Sequence, residues 1–150
     1  MDLIIQKATE LGVKEIVPVI TERSQVRETR KMARWMKIAE EASRQAGRNS
    51  VPVIRQTTEF DELGKVPLPG GIIFWEQGGA GLDDTLKIFR DRESISLFAG
   101  PEGGFSQAEI EAASEKGFVR ATLGGRILRA ETAAIAAVAI TQFALGDMGA

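Results

Sequence analysis

Residues Ser94–Ile110 read SISLFAGPEGGFSQAEI, and this stretch decides the fold class. The apolar run Ser94–Ala99 predicts a buried strand. Ser106 followed three residues later by Glu109 is a capping-box pattern, so a helix is predicted to begin directly after the glycines. A strand, a short loop and a helix in this order are typical of α/β proteins with a parallel sheet.

The same alternation continues on both sides of this stretch. The predicted strands are Glu15–Ile20, Val53–Arg55, Gly71–Glu76, Ser94–Ala99 and Phe118–Leu123. The predicted helices are Asp2–Leu11, Lys31–Arg48, Thr58–Leu63, Leu82–Asp91, a helix from the Ser106 cap to Lys116, and Glu131–Gly146. Because the strands are continuous apolar runs, the sequence predicts an α/β fold with a mostly parallel sheet and helices on both faces.

Composition limits the chemistry that this chain can perform. It has 150 residues, 43% of them apolar, which suits one compact domain. It has no cysteine and no histidine, so disulfides and thiolate metal sites are excluded and the usual general base is missing. We therefore expect no metal. No apolar run is long enough to span a membrane and no signal-peptide pattern is present, so we expect a cytoplasmic location.

Charge is distributed unevenly along the chain. The stretch Glu22–Arg48, here called the basic zone, has eight basic and four acidic residues and a net charge of +4, against −6 for the rest. Such a zone on an acidic protein suggests a surface that faces a polyanion. A solvated helix with pairs such as Lys37 and Glu41 explains the same pattern, and charge alone favours it.

Two glycine-rich loops follow predicted strands. Ligands of open α/β sheets bind beyond the carboxyl ends of the strands, where both loops are expected. In the first glycine loop, Gly100–Ser106, Gly103 and Gly104 permit positive φ and close approach of the backbone to a ligand, and we expect Glu102 to lie at the mouth of a site. The alternative is a tight strand-to-helix turn. The glycine spacing fits neither a P-loop nor a dinucleotide fingerprint.

The second glycine loop is Leu123–Ala133. Its apolar Ile127 and Leu128 are suited to lie against a flat heterocycle such as adenine. Thr132 is expected to cap the final helix. That helix is rich in alanine, which indicates close packing against the core, a threaded loop or a second subunit.

Four stretches together closely resemble one family. They are IIQKATELGVKEIVPVITERS (Ile4–Ser24), RWMKIAEEASRQAGRNSVPVI (Arg34–Ile54), GPEGGFSQAEI (Gly100–Ile110) and LGGRILRAETAAIAA (Leu123–Ala137). The family is the bacterial RsmE-type methyltransferases of the SPOUT superfamily, whose fold is knotted. GPEGG followed by LGxRILRxETA at this spacing is a specific pattern.

The resemblance implies a fold, a cofactor and a reaction. The fold is α/β with a C-terminal trefoil knot, assembled as a homodimer, and the cofactor is S-adenosylmethionine. The reaction is methyl transfer to N3 of a uridine in 16S rRNA of the small ribosomal subunit, at uridine 1498. By position, the cofactor-binding residues are Phe74, Glu76, Gly100, Glu102, Gly103, Gly104, Leu123, Gly124, Ile127, Leu128, Thr132 and Ala133.

The chemistry of this reaction requires a proton acceptor and a cation. Without histidine, Glu102 and Glu131 are the acid–base candidates, and Arg129 is the first candidate to stabilise the uridine anion. Arg23, from this subunit or its partner, is the second. Alternatively, Arg129 and Glu131 pair with each other or cap the helix. The expected RNA contacts are Arg23, Arg27, Arg30, Lys31 and Arg34.

Family members usually carry an N-terminal PUA-like RNA-binding domain, which residues 1–150 do not contain. We therefore expect these residues to form the SPOUT methyltransferase domain and to recognise RNA incompletely. Two other functions remain open. One is methylation of a ribose 2′-hydroxyl or of tRNA, and the other is an RNA- or nucleotide-binding module without catalysis.

Overall fold

The computed structural model describes residues 1–25 and 31–150, and the expected RNA contacts Arg27 and Arg30 lie outside them. The helices are α1 (Asp2–Glu10), α2 (Met32–Gln45), α3 (Leu82–Lys87), α4 (Gln107–Glu115) and α5 (Ala130–Leu145). The strands are β1 (Glu15–Ile16), β2 (Val19–Ile20), β3 (Val53–Ile54), β4 (Thr58–Glu59), β5 (Gly71–Phe74), β6 (Ala80–Gly81), β7 (Ser96–Phe98) and β8 (Val119–Thr122). A 3-10 helix spans Phe60–Lys65.

The main sheet is parallel and has four strands in the order β6–β8–β5–β7. Its central strand β5 is buried at every residue. Ile72 of β5 lies opposite Leu97 on one side and Val119 on the other. Two smaller parallel pairs, β1–β3 and β2–β4, lie outside this sheet. The predicted α/β class with parallel strands is confirmed.

Helices cover both faces of the main sheet, as predicted. Ile72 and Phe74 pack with Leu86 of α3 and Ala137 of α5 on one face. On the other face, Ile73 packs with Phe60 and Leu63 of the 3-10 helix, with Ile110 and Ala113 of α4, and with Phe105, which precedes α4. Alternate residues of β5 therefore belong to different clusters, as the two-residue period of a strand requires.

Helix α1 connects the N-terminal layer to the last helix. It packs on α2 through Ile5 and Trp35. It is also linked to α5, because the Gln142 side chain donates to the carbonyl of Leu11 at 2.7 Å. Gly12 follows at φ +91° and ends the helix as predicted. A side chain at Gly12 would start 2.5 Å from Gln142 Nε2, so the contact needs glycine.

Three predicted elements were wrong in detail. The strand predicted over Glu15–Ile20 is two strands, since the buried Pro18 between them has no N–H to donate to a ladder. Thr58–Leu63 forms strand β4 and part of the 3-10 helix. Ala80–Gly81, predicted as loop, pairs with β8. The last two errors arise because pairing between distant segments overrode local propensity.

Candidate functional site

Three segments meet at the carboxyl edge of the main sheet. Strands β8 and β7 flank β5 and run parallel to it, so their carboxyl ends lie at one edge. The segment Trp75–Glu76 leaves the centre of this edge. The first glycine loop leaves on one side and the second glycine loop on the other. The sequence therefore placed both loops correctly, after strands that flank a shared neighbour.

The first glycine loop contains a tight turn. The N–H of Gly104 donates to the carbonyl of Pro101 at 2.9 Å, and Gly104 has φ +68°. A side chain at Gly104 would start 2.7 Å from Glu76 Oε1, so the Glu76 carboxylate lies against the loop backbone. Of Gly103 and Gly104, which both permit positive φ, only Gly104 adopts it in this turn.

Gly103 is instead restricted by contact with Arg23. The guanidinium of Arg23 donates to the Gly103 carbonyl at 3.0 Å. A Cβ at Gly103 would lie 3.0 Å from the Cβ of Arg23. Arg23 thus contacts the first glycine loop of its own chain, although 80 positions separate it from Gly103. Of the two subunits from which this arginine was expected, the structure shows it in the same subunit as the loop.

The capping box at the start of α4 is confirmed. Ser106 accepts from the N–H of Glu109, and Glu109 Oε2 accepts from the N–H of Ser106 at 2.9 Å. The other carboxylate oxygen of Glu109 accepts from the N–H of Glu22 at 2.8 Å. Sequence analysis missed this second bond. Its partners are 87 positions apart, and no local pattern indicates it.

The second glycine loop presents open backbone and apolar surface. Gly124 has φ +96° and donates its N–H to Thr122 Oγ1 at 3.0 Å. Side chains at Gly124 or Gly125 would meet open space. Ile127 is 93% exposed and Leu128 is half-buried. An apolar side chain this exposed beside free backbone suits a flat ligand or a protein partner.

The charged residues near this loop have no partner within the described chain. The side chains of Arg129 and Glu131 take part in no hydrogen bond or ion pair among residues 1–25 and 31–150, so the alternative in which they pair is not observed. Glu102 is exposed and equally unpaired within the same residues. Thr132 was wrongly predicted as the cap, because α5 begins at Ala130 and Arg129 occupies the cap position without a side-chain bond.

The charged side chains in the described part of the basic zone do not form one cluster with the two glycine loops. Arg34 is exposed but forms an ion pair with Asp2 of α1. Lys31 lies at the start of α2. Lys37 and Glu41 form no ion pair in the part of the chain that the structure describes, but both are exposed on α2, as the solvated-helix alternative expects. Among the expected RNA contacts that the structure describes, Arg23 lies beside a glycine loop.

A groove of about 720 Å³ lies elsewhere, between α1 and α2. Its lining includes Leu3, Ile38 and Gln45 but no residue of either glycine loop, so it is separate from the candidate site. Across the two described ranges, no cluster of three or more acidic side chains could hold a metal ion. None of the described helices is both long and apolar enough to cross a membrane.

The parallel sheet and the polar and glycine-rich loops at its carboxyl edge define an α/β domain of the class whose ligands bind at that edge. Comparison with known proteins narrows the class. Residues 1–142 match the RNA methyltransferase domain family, and the chain belongs to it. The RsmE-type resemblance is confirmed by similarity to the ribosomal RNA small subunit methyltransferase E of Buchnera aphidicola, at 32% identity over 98% of this chain and 60% of that protein.

Solved structures agree with this assignment. A Legionella pneumophila protein in complex with the cofactor SAM superimposes with a TM-score of 0.89 at 37% identity, covering 99% of this chain and 62% of that one. The ribosomal RNA small subunit methyltransferase E of Neisseria gonorrhoeae, bound to S-adenosyl methionine, gives 0.85 at 40% identity, covering 95% and 60%. The chain therefore spans about three fifths of the length of these relatives.

Proposed function

We propose that this chain is the cofactor-binding, catalytic domain of an S-adenosylmethionine-dependent methyltransferase that acts on N3 of a uridine in 16S rRNA. The observation that carries the proposal is the sheet edge, where both glycine loops flank β5 and unpaired Arg129 and Glu131 lie beside one of them. Family membership and neighbours solved with this cofactor support it. The target position, uridine 1498, follows from the family resemblance.

The loops have the features that the cofactor requires. Gly104 lets the backbone come close to a ligand, since its positive φ is a conformation that L side chains rarely adopt. Ile127 and Leu128 offer apolar contact for adenine, and the carboxylate of Glu76 offers an acceptor for hydroxyl or amino groups. The proposed cofactor residues are Phe74, Glu76, Gly100, Glu102, Gly103, Gly104, Leu123, Gly124, Ile127, Leu128, Thr132 and Ala133. Phe74 is buried in the core as the last residue of β5.

The cofactor supplies an electrophilic methyl group on its sulfonium, and the protein must align it with N3 of uridine and remove one proton. Glu102 or Glu131 accepts the N3 proton. Arg129 and Arg23 stabilise the negative charge that spreads to the ring oxygens. The Arg129 side chain forms no ion pair in the described chain, so it can bind substrate without breaking an ion pair within the protein.

We further propose a homodimer and a C-terminal trefoil knot. Helix α5 carries an outward apolar face that includes Ile140, 44% exposed, and Phe143, 69% exposed. Together with Ile127, this surface suits a second copy of the chain. We also propose that the protein acts in the cytoplasm, where its small-subunit rRNA substrate is found.

Incubation with S-adenosylmethionine and unmodified small-subunit RNA tests the reaction, with mass mapping of the methylated nucleoside. A methyl group on N3 of uridine is the expected product. Methylation of a ribose 2′-hydroxyl or of tRNA alone would replace the substrate assignment. Calorimetry with S-adenosylmethionine distinguishes the third candidate, since a purely RNA-binding module should give no cofactor binding.

A further inference from the structure

The carboxylate of Glu109 joins two distant parts of the chain. Its side chain is buried, with only 7% of the residue exposed. One oxygen accepts from Ser106 at 2.9 Å, inside the first glycine loop. The other accepts from Glu22 at 2.8 Å, in the turn that follows β2. A capping box needs only the first of these bonds, so helix capping does not account for the second oxygen.

The turn that Glu109 holds, Thr21–Ser24, is itself well ordered by hydrogen bonds. The N–H of Thr21 donates to Ser24 Oγ at 2.9 Å, and the N–H of Ser24 donates to the Thr21 carbonyl at 3.1 Å. From this turn the Arg23 guanidinium reaches the Gly103 carbonyl. Two side chains therefore join the turn to the first glycine loop. Glu109 links Glu22 of the turn to Ser106 of the loop, and Arg23 of the turn binds Gly103 of the loop.

We infer that Glu109 is a positioning residue that couples the turn Thr21–Ser24, where the basic zone begins, to the first glycine loop. This inference rests on the proposed function, because that function places the cofactor against the loop. Closing of the loop on the cofactor stabilises the turn and fixes Arg23 at the site. RNA held by the basic zone stabilises the loop in return, since coupling between two sites is reciprocal.

The substitution Glu109→Gln separates capping from coupling. Glutamine has one acceptor oxygen, so it can complete the capping box with Ser106 or accept from Glu22, but not both. Its amide group is a donor, so the two bonds that join loop and turn cannot form together. Ser106→Ala is the matched control, because it removes the hydroxyl from the box and leaves both carboxylate bonds in place.

Hydrogen–deuterium exchange of the amides of residues 21–25, with and without S-adenosylhomocysteine, provides the test. In the wild type, the ligand should slow this exchange. In Glu109→Gln without ligand, exchange at Glu22 should be about tenfold faster, because its N–H no longer donates to a carboxylate. The ligand should still bind this variant but no longer protect the turn. Ser106→Ala should keep the protection.

A second variant provides an independent test in case Glu109→Gln does not fold. Ser24→Ala removes the hydroxyl that accepts from Thr21 without touching α4, and it should also weaken ligand-dependent protection of the turn. Wild-type protection in Glu109→Gln or in Ser24→Ala would overturn the inference and leave the cofactor site standing. Failure of the wild type to bind S-adenosylhomocysteine, measured by calorimetry, would instead overturn the proposed function.

Discussion

Gly104 determines the shape of the first glycine loop. Its φ of +68° lies in the region that side chains avoid, at a cost of about 1–2 kcal/mol for an L-residue. A side chain at this position would also have to push the Glu76 carboxylate aside. The backbone conformation thus requires glycine here, which is not so at Gly103.

Replacing Gly104 by alanine should therefore distort the loop. We expect a fall in Tm of about 2–8 °C, from the cost of the backbone conformation. Affinity for S-adenosylmethionine should fall at least about tenfold, because the loop backbone no longer fits the ligand. Calorimetry and thermal unfolding measure both effects. Gly64→Ala is the control, since its Cβ would make only ordinary contact with Lys116. Unchanged affinity in folded Gly104→Ala would contradict the cofactor assignment.

Substitution of Arg129 should affect catalysis but not stability. Since it has no partner in the described chain, Arg129→Ala should change the free energy of unfolding by less than about 0.5 kcal/mol. The single-turnover rate of methyl transfer should fall about 10²–10³-fold if it stabilises the uridine anion. Cofactor affinity should change little. Arg126→Ala, in the same loop, is the matched control, and equal rates in both variants would remove the role of Arg129.

At the scale of elements, α5 stands apart from the other helices. Its inner face packs on the sheet through Ala137, and its outer face remains apolar and exposed at Ile140 and Phe143. A helix that is apolar all round belongs in a core. In the single chain the outer face of this helix has no covering layer among the described residues, which is the physical basis for the proposed dimer.

The substitution Phe143→Glu should therefore convert a dimer into a monomer. A stable interface buries at least about 1,000 Å² in total, and a carboxylate at its centre would be stripped of its hydration without gaining a partner. Light scattering at micromolar concentration measures the mass. Ile88→Glu is the control, because Ile88 is 63% exposed and lies next to α3. A monomeric wild type would refute the dimer directly.

Local sequence signals predicted the helices and strands well, but they did not predict contacts between residues that are far apart in the chain. The Ser106–Glu109 capping box, the end of α1 at Gly12 and the buried strand β5 follow from neighbouring residues. The bond from Glu22 to Glu109 and the pairing of β4 with β2 depend on partners many positions away. For the site, the sequence indicated both glycine loops but not which glycine needs positive φ. That is set by the turn through Pro101.

At the scale of the whole molecule, charge separates a basic zone from an acidic remainder. RNA affinity comes largely from phosphate contacts and falls steeply as salt rises. With a net charge of +4 in its basic zone, this chain should bind RNA weakly by itself. It should therefore methylate RNA poorly, although it binds the cofactor.

Reversing Arg30 and Arg34 together to glutamate should weaken RNA binding and leave cofactor binding intact. The slope of log affinity against log salt should fall by about 1 for each phosphate that is no longer neutralised. Removing the exposed Arg34–Asp2 ion pair should cost no more than about 1 kcal/mol of stability. The double reversal of Arg90 and Arg92 makes the same change in net charge elsewhere. RNA affinity that is equal in the two double variants would show that the basic zone is only a solvated surface.

The strand order of the main sheet has a consequence for synthesis. β8 lies between β5 and β6, yet it is made last, at Val119–Thr122. A nascent chain that has left the ribosome as far as Lys116 holds β5 and β6 without the strand that joins them. Helices α1 and α2 need no later residue to pack on each other, so they can dock early. The carboxyl edge of the sheet can therefore be completed only after β8 has left the ribosome, and its assembly should be the slow step of folding.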